Sequence, residues 1–185
     1  MSCAKSRCST ENLLKALLLL SRLEIDSPDD DRDLLDVVAL LEEIAGDARD
    51  LSAGRHQVAV EAEASGRLLA NTKEIRSAIS NLAFNAVRYT PEGSTITLRW
   101  KPWHDGAAIE VEDNGDGFDP IHIPRLTERF YRTDAARSRE LGGTGLGLSI
   151  VKHIVERHRG RLDISSVQGE GTSVTVLLPL APPQP

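Results

Sequence analysis

Residues 80–90 read SNLAFNAVRYT, inside a stretch with the spacing of a helix. Ile75, Ile79, Leu82, Ala86 and Tyr89 recur at intervals of three and four and make its expected buried stripe. Asn81 and Asn85 lie off that stripe, four residues apart, so their amides stack on one face. Asn is a poor helix former, because its amide competes for backbone hydrogen bonds. Arg88 follows on the same face. A helix that gives up propensity to present two amides and a guanidinium is presenting them to something polar.

The elements around this helix set the fold class. Asn71 is its expected N-cap, with Glu74 three residues on as in a capping box. Upstream, residues 33–35 are a short strand candidate and Asp36 caps a helix over 37–52. QVAVEAE (57–63) alternates like a strand and RLLA (67–70) is a shorter one. STITLRWK (94–101) and AAIEVED (107–113) follow as strands. A short helix is expected over 121–129, a polar loop over 132–144 and an amphipathic helix over 145–158. RLDISSV and TSVTVLLP close as a hairpin around QGEG, with Trp100 and Trp103 read as packing residues. This order predicts an α+β fold, with helices on one face of a mixed, mostly antiparallel sheet.

Before residue 27, STENLLKALLLLSRLE (9–24) reads as a helix with a leucine stripe. SPDDDRD then reads as a linker, so the chain divides into 1–27, a main domain over 28–180 and a disordered tail over 181–185. The run LLKALLLL is too short to cross a bilayer, and Lys15 interrupts it. The net charge of −6 argues against a broad nucleic-acid surface. Cys3 and Cys8 have no zinc or disulfide spacing and suit a reducing compartment.

Four stretches carry chemistry. The first is the Asn81/Asn85/Arg88 face. The second is DNGDGF (113–118) at a strand end, where Asp113 can accept from the exocyclic amine of adenine while Gly115 and Gly117 admit a flat ring. The third is RLTERFYR (125–132), in which Phe130 and Tyr131 anchor the loop and Arg132 is a candidate nucleotide-binding residue. The fourth is GGTGLGL (142–148), where Gly143, Thr144, Gly145, Leu146, Gly147 and Leu148 open a helix whose N-terminal amides can cradle phosphate. Asn85 can offer an amide oxygen to Mg²⁺, and Arg88 can neutralise phosphate.

NLAFNAVRYT, DNGDG, ERFYR and GGTGLGL resemble the N, G1, F and G2 boxes of bacterial sensor histidine kinases, over about residues 33–180. The wording is nearest to the branch that signals phosphate starvation. The resemblance implies a two-layer α/β sandwich of the Bergerat type, binding Mg-ATP under a mobile lid over about 132–144. It implies Asn81, Asn85 and Arg88 as catalytic residues, with Asn85 on Mg²⁺. It implies Tyr89 at the base, Asp113 on adenine N6, and Thr172 near the adenine. It implies transfer of the γ-phosphoryl to a histidine on the protein's own dimerisation domain, in a homodimer, and then to the aspartate of a cognate response regulator. The whole protein would be anchored in the inner membrane with this portion cytoplasmic, touching neither membrane nor nucleic acid.

The first helix is similar to the second helix of that family's dimerisation hairpin. None of His56, His104, His122, His153 and His158 has the acceptor context, and His153 and His158 read as surface residues. The chain is therefore expected not to phosphorylate itself alone, and to be a monomer or a non-native dimer. Related ATP-hydrolysing clamps carry a Glu four residues before the metal-binding Asn. Here that position is Asn81, which cannot take a proton from water, so kinase is favoured over hydrolase. A non-catalytic, nucleotide-responsive module is the other reading.

Overall fold

The computed structural model of the chain describes residues 32–64, 67–104, 106–133 and 144–179, with positions 14, 17, 18 and 21 before them. The linker, most of the polar loop including Gly143, and the tail lie outside the described residues. At the four early positions the backbone is helical, and Leu14, Leu17 and Leu18 are exposed.

The main sheet is five-stranded, in the order β2-β4-β5-β7-β6, from β2 (Gln57–Ala62), β4 (Thr95–Trp103), β5 (Gly106–Asp113), β6 (Arg161–Val167) and β7 (Gly171–Pro179). Its β2–β4 pair is parallel and the rest are antiparallel. A two-stranded ribbon joins β1 (Asp33–Leu35) to β3 (Leu68–Ala70). Strand alternation decides the two faces. Ile96, Leu98 and Trp100 of β4, with Ile109 and Val111 of β5 and Val176 and Leu178 of β7, form the buried side. Glu61, Thr97, Arg99, Lys101, Glu110 and Glu112 take the other.

Helices α1 (Val37–Ser52), α2 (Thr72–Tyr89) and α3 (Gly147–Arg157) cover the apolar face. Asp36 caps α1, its side chain accepting from the Ala39 N–H at 3.1 Å. Asn71 caps α2, its side-chain oxygen accepting from the N–H groups of Lys73 and Glu74, each at 3.1 Å. The return half of the expected capping box does not form. The Asn71 N–H instead donates to the His158 imidazole at 3.1 Å, and Glu74 turns across to Arg157.

The α2 stripe is buried at Ile75, Ile79, Leu82 and Ala86, but Tyr89 is 37% exposed, because α2 ends there, beyond the cover of its neighbours. The helix expected over 121–129 is a 3-10 turn, Pro120–Arg125, capped by Asp119 and carrying Pro124 inside. Pro124 has no N–H to give an α-helical bond. Trp100 packs in the core, whereas Trp103, on the opposite face of the alternating strand, is half-exposed beside His104.

Candidate functional site

Helices α2 and α3 pack antiparallel, and contacts at both ends define the pairing. At one end, Gly147 opens α3 against the asparagine face of α2. A Cβ on Gly147 would lie 3.2 Å from Asn81 Oδ1 and 3.4 Å from Asn85 Nδ2. Asn81 Nδ2 donates to the Ser77 carbonyl at 2.8 Å, a back-bond that leaves its oxygen on the side of Gly147. The sequence expectation that these two amides share a face therefore holds, and the start of α3 lies against that face. Arg88 is partly buried on the last turn of α2, with Tyr89 beside it.

Leu146, fully buried, fixes the start of α3, which has no side-chain N-cap. The N–H groups of a helix's first turn lack intrahelical partners and favour an anion. Thr144 Oγ1 accepts weakly from the Leu146 N–H at 3.4 Å. The Gly145 carbonyl accepts from the Phe130 N–H at 2.8 Å, tying the GLGL segment to ERFYR. Leu148 is partly buried on the first turn, and Arg132 is partly buried past Tyr131. Tyr131 is the anchor expected of it: its hydroxyl meets His122 Nδ1 at 2.7 Å, and the Arg125 guanidinium lies 4.3 Å above its ring. Phe130 anchors through its backbone only, and its ring is exposed.

Asp113 ends β5, in register with Thr172 of β7. Its Oδ1 accepts from the Gly115 N–H at 2.9 Å, and the Thr90 hydroxyl and Thr172 N–H also bond the carboxylate. Burial nevertheless pushes its pKa up, against these three donors. The glycines after it are places where backbone must come close. A Cβ on Gly115 would strike Thr90 Cγ2 at 2.8 Å, and Gly117, at φ 56°, is turned against the Val167 carbonyl.

Sequence reasoning missed the residue that holds this loop. Buried Ser166 Oγ accepts from the Phe118 N–H at 2.9 Å and donates to the Gly171 carbonyl at 3.1 Å. Its one proton so used, the Thr172 hydroxyl is the donor in their 3.0 Å contact. The signal was a polar residue on the inward period of β6, after Leu162 and Ile164.

The opposite end of the α2–α3 pair corrects a second reading. His158 is not a surface residue: it is 5% exposed, directly after α3, because the chain turns there onto the N-terminus of α2. Arg157 forms a salt bridge to Glu74, with Nη2 to Oε1 at 3.1 Å. His153, on the more open side of α3, is partly buried.

Among the described residues no cluster of three His, Cys, Asp or Glu side chains could hold a metal ion. A cation bound here would depend on ligand oxygens plus an amide such as Asn85. Magnesium, which needs few protein ligands when phosphates are present, fits that donor set. No helix among the described residues is long and apolar enough to cross a membrane.

The profile of the histidine kinase-, DNA gyrase B-, and HSP90-like ATPase family matches residues 70–182. The phosphate regulon sensor protein PhoR of Pseudomonas aeruginosa is 52% identical over 167 residues, covering 89% of this chain and 38% of that protein. PhoR of Haemophilus influenzae is 36% identical over 169 residues, 91% of this chain and 40% of that protein. The chain thus spans about two fifths of the curated relatives it matches. Among solved structures, full-length ShkA in complex with AMPPNP aligns with a TM-score of 0.81 at 24% identity, over 92% of this chain and 35% of that one. The mycobacterial sensor histidine kinase MprB aligns at 0.70 and 24%, over 82% of this chain and 99% of that one. At those identities the structural likeness establishes the fold alone.

Proposed function

The chain belongs to the histidine kinase-, DNA gyrase B-, and HSP90-like ATPase family, and from that premise we propose that it is the catalytic portion of a phosphate-responsive sensor histidine kinase. The observation that carries this reading is the start of α3 set against Asn81 and Asn85. It joins a helix N-terminus suited to phosphate to amides suited to a hydrated cation. Asp113, held among three donors, keeps acceptor capacity for the adenine amine, and Thr172 lies across the strand pair from it. Tyr89, exposed at the end of α2, is free to meet the base.

In this reading Asn81, Asn85 and Arg88 face the phosphates, with Asn85 on Mg²⁺. Thr144, Gly145, Leu146, Gly147 and Leu148 hold the lid end, to which the family resemblance assigns Gly143 and Arg132. Mg²⁺, when bound, supplies neutralisation of the phosphate oxygens. The imidazole nitrogen of a histidine on the dimerisation domain forms the new N–P bond as the bond from the γ-phosphorus to the β–γ bridging oxygen breaks. ADP leaves with the electron pair. The chain's own residues contribute position and charge. Asn81 disfavours ATP hydrolysis, since its amide is no base for water and is already bonded to Ser77. The phosphate regulon enters through the names of the PhoR relatives, and the reading adds, from the family resemblance, a homodimer, a response regulator that receives the phosphoryl group on Asp, and a membrane anchor elsewhere in the protein.

Calorimetric titration with ADP and AMPPNP, each with and without Mg²⁺, tests the site. Adenine nucleotides should bind and guanine nucleotides should bind more weakly, with Asn85→Ala removing mainly the Mg²⁺ dependence. A hairpin fragment bearing an acceptor histidine, added with ATP, should then become phosphorylated in trans. Tight nucleotide binding without any such transfer would favour the non-catalytic module.

A further inference from the structure

The ends of α2 and α3 away from Gly147 are joined by a cluster of contacts, and the centre of that cluster is His158. Its Nε2 accepts from the Asn71 N–H at 3.1 Å, at the N-cap of α2. Its Nδ1 lies 2.8 Å from the Ile154 carbonyl, the last turn of α3. A carbonyl only accepts and a backbone N–H only donates, so the tautomer is fixed: Nδ1 carries the proton and Nε2 carries none. One buried ring thus ties the start of one helix to the end of the other. Each helix runs unbroken between these contacts and the start of α3, with backbone bonds at every turn and a rise of about 1.5 Å per residue. A shift at Asn71 is therefore carried along α2 to Asn81 and Asn85, and a shift at Ile154 along α3 to Gly147.

We infer that His158 is a positioning residue for the nucleotide site: as the neutral imidazole, and only so, it holds α2 and α3 in the register that sets Gly147 against Asn81 and Asn85. This rests on the reading of Asn81 and Asn85 as nucleotide residues. A proton on Nε2 would face the Asn71 N–H with a second donor and break the bridge. The charged groups around the ring pull in both directions. Glu74 of α2, with Oε2 3.8 Å from Nδ1, favours the cation. Arg157 of α3 and Arg32, whose guanidinium reaches the Arg157 carbonyl at 3.4 Å, oppose it. Burial opposes it most, and the pKa is displaced below the ordinary histidine value. The bridge is thus intact at neutral pH and is lost on acidification.

The test is AMPPNP affinity of the whole chain from pH 8 down past the acid end of the ordinary histidine range of about pH 5–8, since the ring titrates below its usual value, for wild type, His158→Gln and His158→Ala. Absence of binding by wild type at pH 8 would overturn the nucleotide reading itself, not the role of His158. With binding present, wild type should lose about tenfold in affinity on acidification, the order of effect of leaving the part-buried Asn71 N–H without its acceptor. His158→Gln can offer an amide oxygen to the Asn71 N–H and cannot titrate. It should bind within about threefold of wild type at pH 8 and show a flatter acid limb. His158→Ala should bind about tenfold more weakly at pH 8 while still melting cooperatively. An acid limb in His158→Gln as steep as that of wild type, or wild-type affinity in His158→Ala, overturns the inference. Nitrogen NMR of the wild-type imidazole decides it even if the variants do not fold: Nε2 must be unprotonated at neutral pH and titrate with the affinity midpoint, and a protonated Nε2 there overturns it.

Discussion

At the scale of the single residue, Asp113 shows stability given up at a candidate binding group. Its carboxylate is drawn out of water, and burial raises its pKa although Gly115, Thr90 and Thr172 donate to it. A carboxyl whose folded pKa exceeds its unfolded value of about 3.9 holds its proton longer in the folded state. Stability from this group therefore falls as pH rises from the unfolded to the folded value, and stays lower above it. The ionised acceptor costs stability at neutral pH. Asp113→Asn should accordingly leave the Tm unchanged or raise it, with the gain over wild type growing across that pH window and then levelling. The same variant should weaken ADP binding about tenfold, because an amide placed against the adenine amine lacks one acceptor. Paired melting curves and calorimetry check both halves. A variant that is less stable and binds ADP normally would make Asp113 a structural residue.

At the scale of the element, the proposed site rests on the α2–α3 pair, and Gly147 brings the start of α3 against the asparagine face of α2. Alanine is favoured over glycine within a helix by up to about 1 kcal/mol. The new methyl would nevertheless lie 3.2 Å from Asn81 Oδ1, closer than carbon and oxygen comfortably pack. Gly147→Ala should change the Tm by no more than a few degrees, about what 1 kcal/mol moves in a chain of this size. AMPPNP affinity should fall about tenfold, a shift of about 1.4 kcal/mol. Unchanged affinity in a titration would remove the Asn81 face from the phosphate site. Much at this scale was legible in the sequence. The strands announced themselves by alternation, and Asp36 and Asn71 by capping chemistry. The asparagine face could be read because helical spacing is fixed. What failed depended on partners distant in sequence. The Glu74 carboxylate was free to close a capping box until Arg157, 83 residues on, drew it away. His158 is polar on a helix end and reads as exposed until the turn after α3 places it over Asn71. Ser166 is an ordinary strand serine until Phe118 and Gly171 reach it. The 3-10 turn at Pro120–Arg125 departs from the helical expectation at a proline visible in the sequence.

At the scale of the whole molecule, the helices among the described residues after residue 32 cover one face of the sheet, and charged side chains line the other. Arg99 joins Glu61 of β2 to Glu110 and Glu112 of β5, and Lys101 adds a second cation on Glu110 at 2.8 Å. Ser173 and Thr175 of β7 bond the other oxygen of Glu110. Burial opposes ionisation of Glu110, yet Lys101, Ser173 and Arg99 together hold its pKa below the usual carboxylate value. Among the described residues the charged face is thus tied across four strands, and the apolar contacts are concentrated under α1, α2 and α3. The core so formed begins at Leu35 and draws on no earlier described residue. Arg32, just before β1, still reaches the end of α3. A chain starting at residue 32 therefore retains every described core contact and the Arg32 bond. It should fold cooperatively with a Tm within about 4 °C of the longer chain, the shift expected for about 1 kcal/mol at this length. Its ADP affinity should match that of the longer chain. The comparison is a thermal melt and a titration of both chains side by side. A large loss of stability would mean that residues before 32 complete the core. A loss of affinity at unchanged stability would mean instead that they act on the α2–α3 pair.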